Sequence, residues 1–194
     1  MRTLLFFVAA SIAAAQSLTQ PTLPPLTQAE RLKWTVVSTV GPVNLFGGAI
    51  TSAWSTWTNS PPEYGPHWDG WGMRQGLRVA GGSTSNLMEA EVGAIWGEDM
   101  RYHRAQTTAF KGRVKHVILS AFMAYNREGK AMPAYARFIA VPSSNLIGNT
   151  WRPDSQRTAV ETTNRIVFSF TGRMTSNAFA EFWPDVQKYV FKKK

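Results

Sequence analysis

The residues best equipped for chemistry lie together at Glu98, Asp99, Arg101, Tyr102, His103 and Arg104, in the run WGEDMRYHR. A carboxylate can hold or take a proton, and an imidazole titrates near neutrality, so Asp99 and His103 are candidates for general acid and base work. Glu91 joins them because it falls within an apolar helical stripe, where an acid must either be paired or keep its proton. Glu91, Asp99 and His103 are therefore the candidate catalytic set, for a small hydrolase or lyase. The competing reading uses much the same residues structurally. Arginine and carboxylate make bidentate pairs, so Glu91, Asp99, Arg101 and Tyr102 also suit a hub that ties a helix end to its neighbours.

What positions them is a long helical pattern beginning at Trp68. Leu77, Ala80, Thr84, Leu87, Met88, Glu91, Ala94 and Ile95 recur at intervals that place them on one side, with Arg74, Arg78, Ser85 and Glu89 opposite. This predicts an inward face carrying Glu91 and an outward face carrying Glu89. Arg101, Arg137 and Arg165 are the available partners for a buried Glu91. Gly72 with Gly76, and Gly93 with Gly97, stand four apart and predict close approach of another backbone.

Other chemistries lack their signatures. The chain has no cysteine, which removes disulfides, thiolate nucleophiles and cysteine metal sites. His67, His103 and His116 share no ligand spacing such as H-E-x-x-H, so no metal is expected. Neither a G-x-S-x-G turn nor a phosphate-binding loop occurs, and no cofactor is expected.

Charge points elsewhere. Twenty-one Lys and Arg against 12 Asp and Glu give a net charge of +9. Arg104, Lys111, Arg113 and Lys115 cluster, with His116 beside them, and Lys192–Lys194 end the chain. Such a face suits anionic lipid or an anionic envelope polymer, or is merely solvated. Nucleic acid is not expected, because the amino terminus reads as an export signal. Met1-Arg2 is a short basic start, Leu4 to Ala15 is apolar but too short to span a bilayer, and the alanines at 13 and 15 suit cleavage before Gln16. The expected location is periplasmic, outer-envelope associated or secreted, and loss of Arg2 brings the charge from +9 to +8.

Residues 16–26 read as an extended proline-containing linker, 27–187 as one helical domain, and 188–194 as a basic tail. Thr27 with Glu30 forms a capping box, and Leu32, Val36, Val37 and Val40 predict a buried stripe ended by Gly41-Pro42. Pro42 opens a second helix to Trp57, and the proline-rich turn from Asn59 to Pro66 stops it. The stretch from Trp34 to Trp57 is the most apolar after the signal, yet Ser, Thr, Asn and Gly dilute it, so the mature chain is expected to be water-soluble. A helix from Phe110 to Tyr125 leaves Lys111, Arg113, Lys115 and His116 on or beside its wet face. Arg127–Lys130 is a turn, Pro133 suits a first helical position, and Pro142 is expected to interrupt the stripe begun by Tyr135, Phe138 and Ile139. Asn145 to Trp151 fits either helix or loop. The last helix follows Pro153-Asp154-Ser155 and carries Val160, Val167, Phe170, Met174, Ala178 and Phe182, with Pro184 near its end.

The segments PEYGPHW at 62–68, WGEDMRYHR at 96–104, AYARFIAVPSSNLIGNTWRPDS at 134–155 and SNAFAEFWPDV at 176–186 resemble an uncharacterised group of exported bacterial helical proteins. The resemblance runs from about Leu26 to Val186 and implies no activity or catalytic residue. Members of that group carry Asp-Pro-Arg-Tyr where this chain has Asp99-Met100-Arg101-Tyr102. The expectation is a mainly α protein: a single compact bundle of five or six helices with glycine-mediated close packing. Its expected role is that of an exported cell-envelope protein, a non-enzymatic scaffold or a binder of anionic membrane surfaces.

Overall fold

A computed structural model of the chain describes Pro24 and residues 26–191. The expected signal peptide, most of the linker and Lys192–Lys194 lie outside the described residues. The protein is mainly α, as its periodicity predicts. The helices are α1 (Gln28–Val40), α2 (Pro42–Trp57), α3 (Trp68–Trp96), α4 (Phe110–Leu119), α5 (Tyr135–Gly148) and α6 (Ala159–Phe191). Two short antiparallel strands, β1 (Met123–Tyr125) and β2 (Ala131–Pro133), stand between α4 and α5. Within the region expected as one domain, the chain gathers into two compact units. An amino-terminal unit comprises Thr27–Val92 and Phe138–Phe168, and a hairpin unit comprises Gly93–Arg137 with the segment from Ser169.

The amino-terminal unit starts at the expected capping box. Glu30 accepts from the Thr27 amide at 2.8 Å while the Glu30 amide donates to the Thr27 hydroxyl at 3.2 Å. Gly41 breaks the chain between α1 and α2 with extended backbone, and its carbonyl accepts from the amides of Asn44 and Leu45. Together Gln28–Trp57 are long and apolar enough to cross a membrane, by length and composition.

Burial in this unit departs from expectation. Leu32, Val36, Val37 and Val40 are exposed, Leu32 at 62%, and so are Phe46, Ile50, Trp54 and Trp57. Ser52, Thr56, Arg74, Glu89, Ser144 and Thr162 are buried instead. Polar contacts between elements set this rotation: Ser52 donates to Gln75 at 3.0 Å, Asn86 to Thr39 at 3.0 Å, and the Trp71 indole to the Ala49 carbonyl at 3.3 Å. A helix that turns these groups inward must turn its valines and tryptophans out.

The same rotation reverses the expectation for α3. Glu89 is fully buried with Ala90, whereas Glu91, Leu87 and Ile95 are exposed. Positions two apart on a helix lie about 200° apart, so selecting the more apolar stripe selected the outer face. Close packing falls at Gly48, where a methyl would stand 3.1 Å from the Gln75 side chain, and at Gly93, where it would stand 3.5 Å from Ala136. Gly72 and Gly76 face open space. Gly97 serves as a helix stop: its φ of 72° is left-handed, and the next amide, of Glu98, reaches back to the Gly93 carbonyl at 2.8 Å.

The hairpin unit holds most of the buried apolar residues, among them Met100, Val117, Ala121, Met123, Ala124, Tyr125, Ala134 and Ala136. α4 ends at Leu119 rather than Tyr125, because Met123–Tyr125 pairs as a strand with Ala131–Pro133. Asn126 accepts from the Gly129 amide and donates to the Lys130 carbonyl, and Gly129 takes a left-handed φ of 73°, which closes the hairpin. Pro133 therefore ends a strand instead of opening a helix. Pro142 and Pro184 both lie inside helices, correcting the interruption expected at Pro142. Asn145–Gly148 belongs to α5, and Asn149–Trp151 forms a short 3-10 turn.

Candidate functional site

The cluster at the end of α3 forms around Asp99. Its amide donates to the Tyr125 carbonyl at 2.8 Å, which fixes the backbone beside β1. Its carboxylate then faces forward along the chain. Arg101 donates to it through Nε at 3.1 Å and Nη2 at 2.7 Å, the Arg101 amide adds a bond of 2.9 Å, and His103 Nε2 lies 3.3 Å away. Burial pushes the Asp99 carboxyl up, but the bonds from His103 and Arg101 outweigh it and bring it down to about 2. Asp99 is an ionised, occupied group at neutral pH. His103 packs edge-on against Tyr125.

A second carboxylate centre lies beside it, built by α4 and α6. Glu181 is 1% exposed. Its side chain accepts from Tyr102 at 2.8 Å, from the Ala105 amide at 3.1 Å and from Arg113 Nε at 2.6 Å. Arg113 also pairs with Asp185 at 2.6 Å, and Arg104 reaches Asp185 at 3.4 Å and the Glu181 carbonyl at 2.9 Å. The Arg113 guanidinium lies over the Phe182 ring. Burial raises Glu181, yet the bonds from Arg113, Ala105 and Tyr102 hold its carboxyl below the ordinary value. Burial and the Glu181 hydrogen bond both raise the Tyr102 phenol, so its proton stays in place.

Glu98 belongs to the same unit and is buried, accepting from the Trp96 indole at 2.9 Å and from the Ala136 amide at 3.0 Å. His116 is buried rather than wet. Its Nε2 stands 2.8 Å from the His103 carbonyl, which only accepts, so that nitrogen carries the proton.

The structure thus brings Asp99, Arg101, Tyr102 and His103 into one region of the hairpin unit. Glu91 is exposed in the amino-terminal unit, where with Gln28, Arg31, Leu32, Thr35 and Leu87 it lines a groove of about 340 Å³. Of the expected basic patch, Arg113 is engaged by Glu181 and Asp185, Arg104 is exposed and reaches Asp185 at 3.4 Å, and Lys111 and Lys115 are exposed. Sequence reasoning missed Glu181 and Asp185. The signal was present, since Glu181 is a lone acid in the apolar run AFAEFW and Asp185 follows one helical turn later.

Chemically, this arrangement holds charge. Two ionised carboxylates are met by guanidinium, phenol and amide donors, which fixes side chains and leaves neither acid with a proton to give near neutral pH. Among the described residues, no three His, Asp or Glu side chains gather to hold a metal ion. No family model, no curated protein and no solved structure matches this chain.

Proposed function

We propose that this chain is an exported, non-enzymatic protein of the cell envelope that seats the apolar faces of its amino-terminal unit on an anionic lipid surface. The observation that supports this most is the inverted distribution of polarity in that unit. Ser52, Thr56, Arg74 and Glu89 are inside, while Phe46 at 71%, Trp54 at 60% and Trp57 at 76% exposure are outside. Water disfavours such a surface and an acyl layer favours it, because exposed apolar patches of this kind mark lipid or protein contacts. Lys111 and Lys115, exposed in the hairpin unit, add positive charge that draws the chain towards anionic headgroups at long range. The export signal read at residues 1–15 and the resemblance to exported bacterial proteins support a periplasmic or outer-envelope location.

The test is binding to vesicles of phosphatidylglycerol and phosphatidylcholine at low salt, followed by co-sedimentation and tryptophan emission. Binding with a blue shift is expected, and replacing Phe46, Trp54 and Trp57 together by Ser abolishes it. A wild-type chain that stays in the supernatant with unchanged emission overturns the reading.

The second reading, a hydrolase or lyase, draws on the 3.3 Å contact between Asp99 and His103. It requires turnover that Asp99→Asn and His103→Gln each abolish without unfolding the chain.

A further inference from the structure

In the hairpin unit, α6 turns an apolar stripe to solvent. Phe179, Trp183, Val186 and Val190 are 38%, 41%, 46% and 57% exposed. Their spacing of four, three and four is that of a coiled-coil seam, the pattern one helix offers to another. The Phe179 and Trp183 rings stack with centroids 4.9 Å apart and planes at 18°, so the centre of the stripe is ordered before anything meets it.

Charge lies on the other side of the helix. Glu181, Asp185 and Lys188 each stand two positions past a stripe residue, about 200° around the axis. Glu181 and Asp185 are already held by Arg113. The positions beside the bulky stripe are Ala180, Phe182, Gln187 and Tyr189, which carry no charge. A helix that lies in a lipid surface keeps its lysines on a polar face that reaches the headgroups, and this stripe has none along its edges. Uncharged edges instead let it meet a copy of itself without like-charge repulsion, although the chain as a whole carries +9.

The seam continues towards the start of the segment through small residues, Ser176, Gly172 and Ser169. A methyl built on Gly172 would meet nothing within 4 Å, so that end is open to a neighbour. One end of the stripe is therefore bulky and the other small, which makes it complementary to itself when reversed. Two antiparallel copies set Trp183 on Gly172, Phe179 on Ser176 and Val186 on Ser169, each contact made twice about a two-fold axis. Arg173, the charge beside the small end, then falls next to Ala180 of the second copy. A parallel pair would set bulky on bulky and leave the small ends facing each other across a gap.

We infer that the chain associates with a second copy of itself through an antiparallel pairing of α6 along residues 169–190. A seam this short gives a weak, reversible pair. The pairing belongs to the hairpin unit and does not rest on the lipid reading of the amino-terminal unit.

The experiment is analytical ultracentrifugation of the chain over a concentration series at low and high salt, with thermal melts of each variant. The weight-average mass rises from near one chain towards two across a roughly hundredfold range of concentration. Salt strengthens the association, because it screens the repulsion between two basic chains. Val186→Lys puts a charge in the seam and weakens the pair at least tenfold, and Gly172→Leu, which fills the space Trp183 of the second copy needs, does the same. Both melt no lower than wild type, since Val186 is half exposed and Gly172 faces open space. Replacing Phe46, Trp54 and Trp57 together by Ser leaves the pairing intact. In this cysteine-free chain, Ser176→Cys links two copies through a short bifunctional reagent and Tyr189→Cys does not. A mass that stays at one chain up to about 1 mM overturns the inference. So does association that survives Val186→Lys and Gly172→Leu, that is lost in the triple Ser variant, or that links at Tyr189→Cys. If the stripe sits on lipid instead, the chain stays single and Val186→Lys tightens its binding to phosphatidylglycerol vesicles, which also overturns the pairing.

Discussion

The Tyr102 hydroxyl donates a 2.8 Å hydrogen bond to Glu181, and through it the segment after α3 is tied to α6, far along the chain. The same carboxylate holds Arg113 from α4 at 2.6 Å. One buried acid therefore fastens three stretches of the hairpin unit. Removing it leaves Arg113 without its buried partner, and breaking such a pair costs roughly 3 to 5 kcal/mol. Glu181→Ala should lower the melting temperature far more than Glu181→Gln, which keeps the shape and an acceptor. Tyr102→Phe should cost about 1.5 to 3 kcal/mol, the range for a hydrogen bond to a charged group. In a double-mutant cycle the two losses should be less than additive.

Acid should weaken the same unit. Asp99 has its folded value depressed to about 2, and Glu181 is depressed as well. A group depressed by folding contributes stability that is present above its unfolded pKa and lost as pH falls through its folded one. For Asp99 that window runs from about 4, the usual unfolded value, down to about 2. Stability measured by urea denaturation should thus fall steeply across that range. Asp99→Asn should be less stable than wild type at pH 7 and show a flatter acid limb. An unchanged acid slope would remove Asp99 as its source.

Glu89 and Glu91 offer a direct test of the rotation of α3. Glu89 is fully buried and Glu91 is exposed. Glu89→Ala should cost about 1 to 3 kcal/mol, because it empties a fully buried site. Glu91→Ala should stay within about 0.5 kcal/mol of wild type. Equal losses from the two substitutions would contradict the observed face.

Lys111 and Lys115 are exposed, whereas Arg113 between them is engaged by Glu181 and Asp185. Replacing both lysines by Ala should weaken binding to anionic vesicles and reduce its salt dependence while leaving the melting temperature unchanged. Arg113→Ala should do the opposite, lowering stability with a smaller effect on binding. Melts and vesicle titrations on the same preparations separate the two roles.

Local signals in the sequence determined the local structure. The Thr27 and Glu30 capping box, the Gly41-Pro42 break, the turn at Arg127–Lys130 and the helical periods of α3 and α6 need only neighbours along the chain, and all form as their chemistry requires. Asp99, Arg101 and His103 were legible for the same reason, since they lie within five positions of one another. Tertiary structure decided which side of each helix faces in. An apolar stripe identifies the inner face only when the interior is apolar, and the amino-terminal unit instead buries Ser52, Thr56, Arg74 and Glu89. Its stripes at Leu32–Val40 and Leu77–Ile95 were consequently assigned to the wrong side. Tertiary structure also decided that Met123–Tyr125 leaves the helix, because a strand needs its partner at Ala131–Pro133, and that Glu181 joins Tyr102 and Arg113 in the hairpin unit. Pairing between distant residues depends on where helices converge in space, which the spacing of residues along a single helix does not contain.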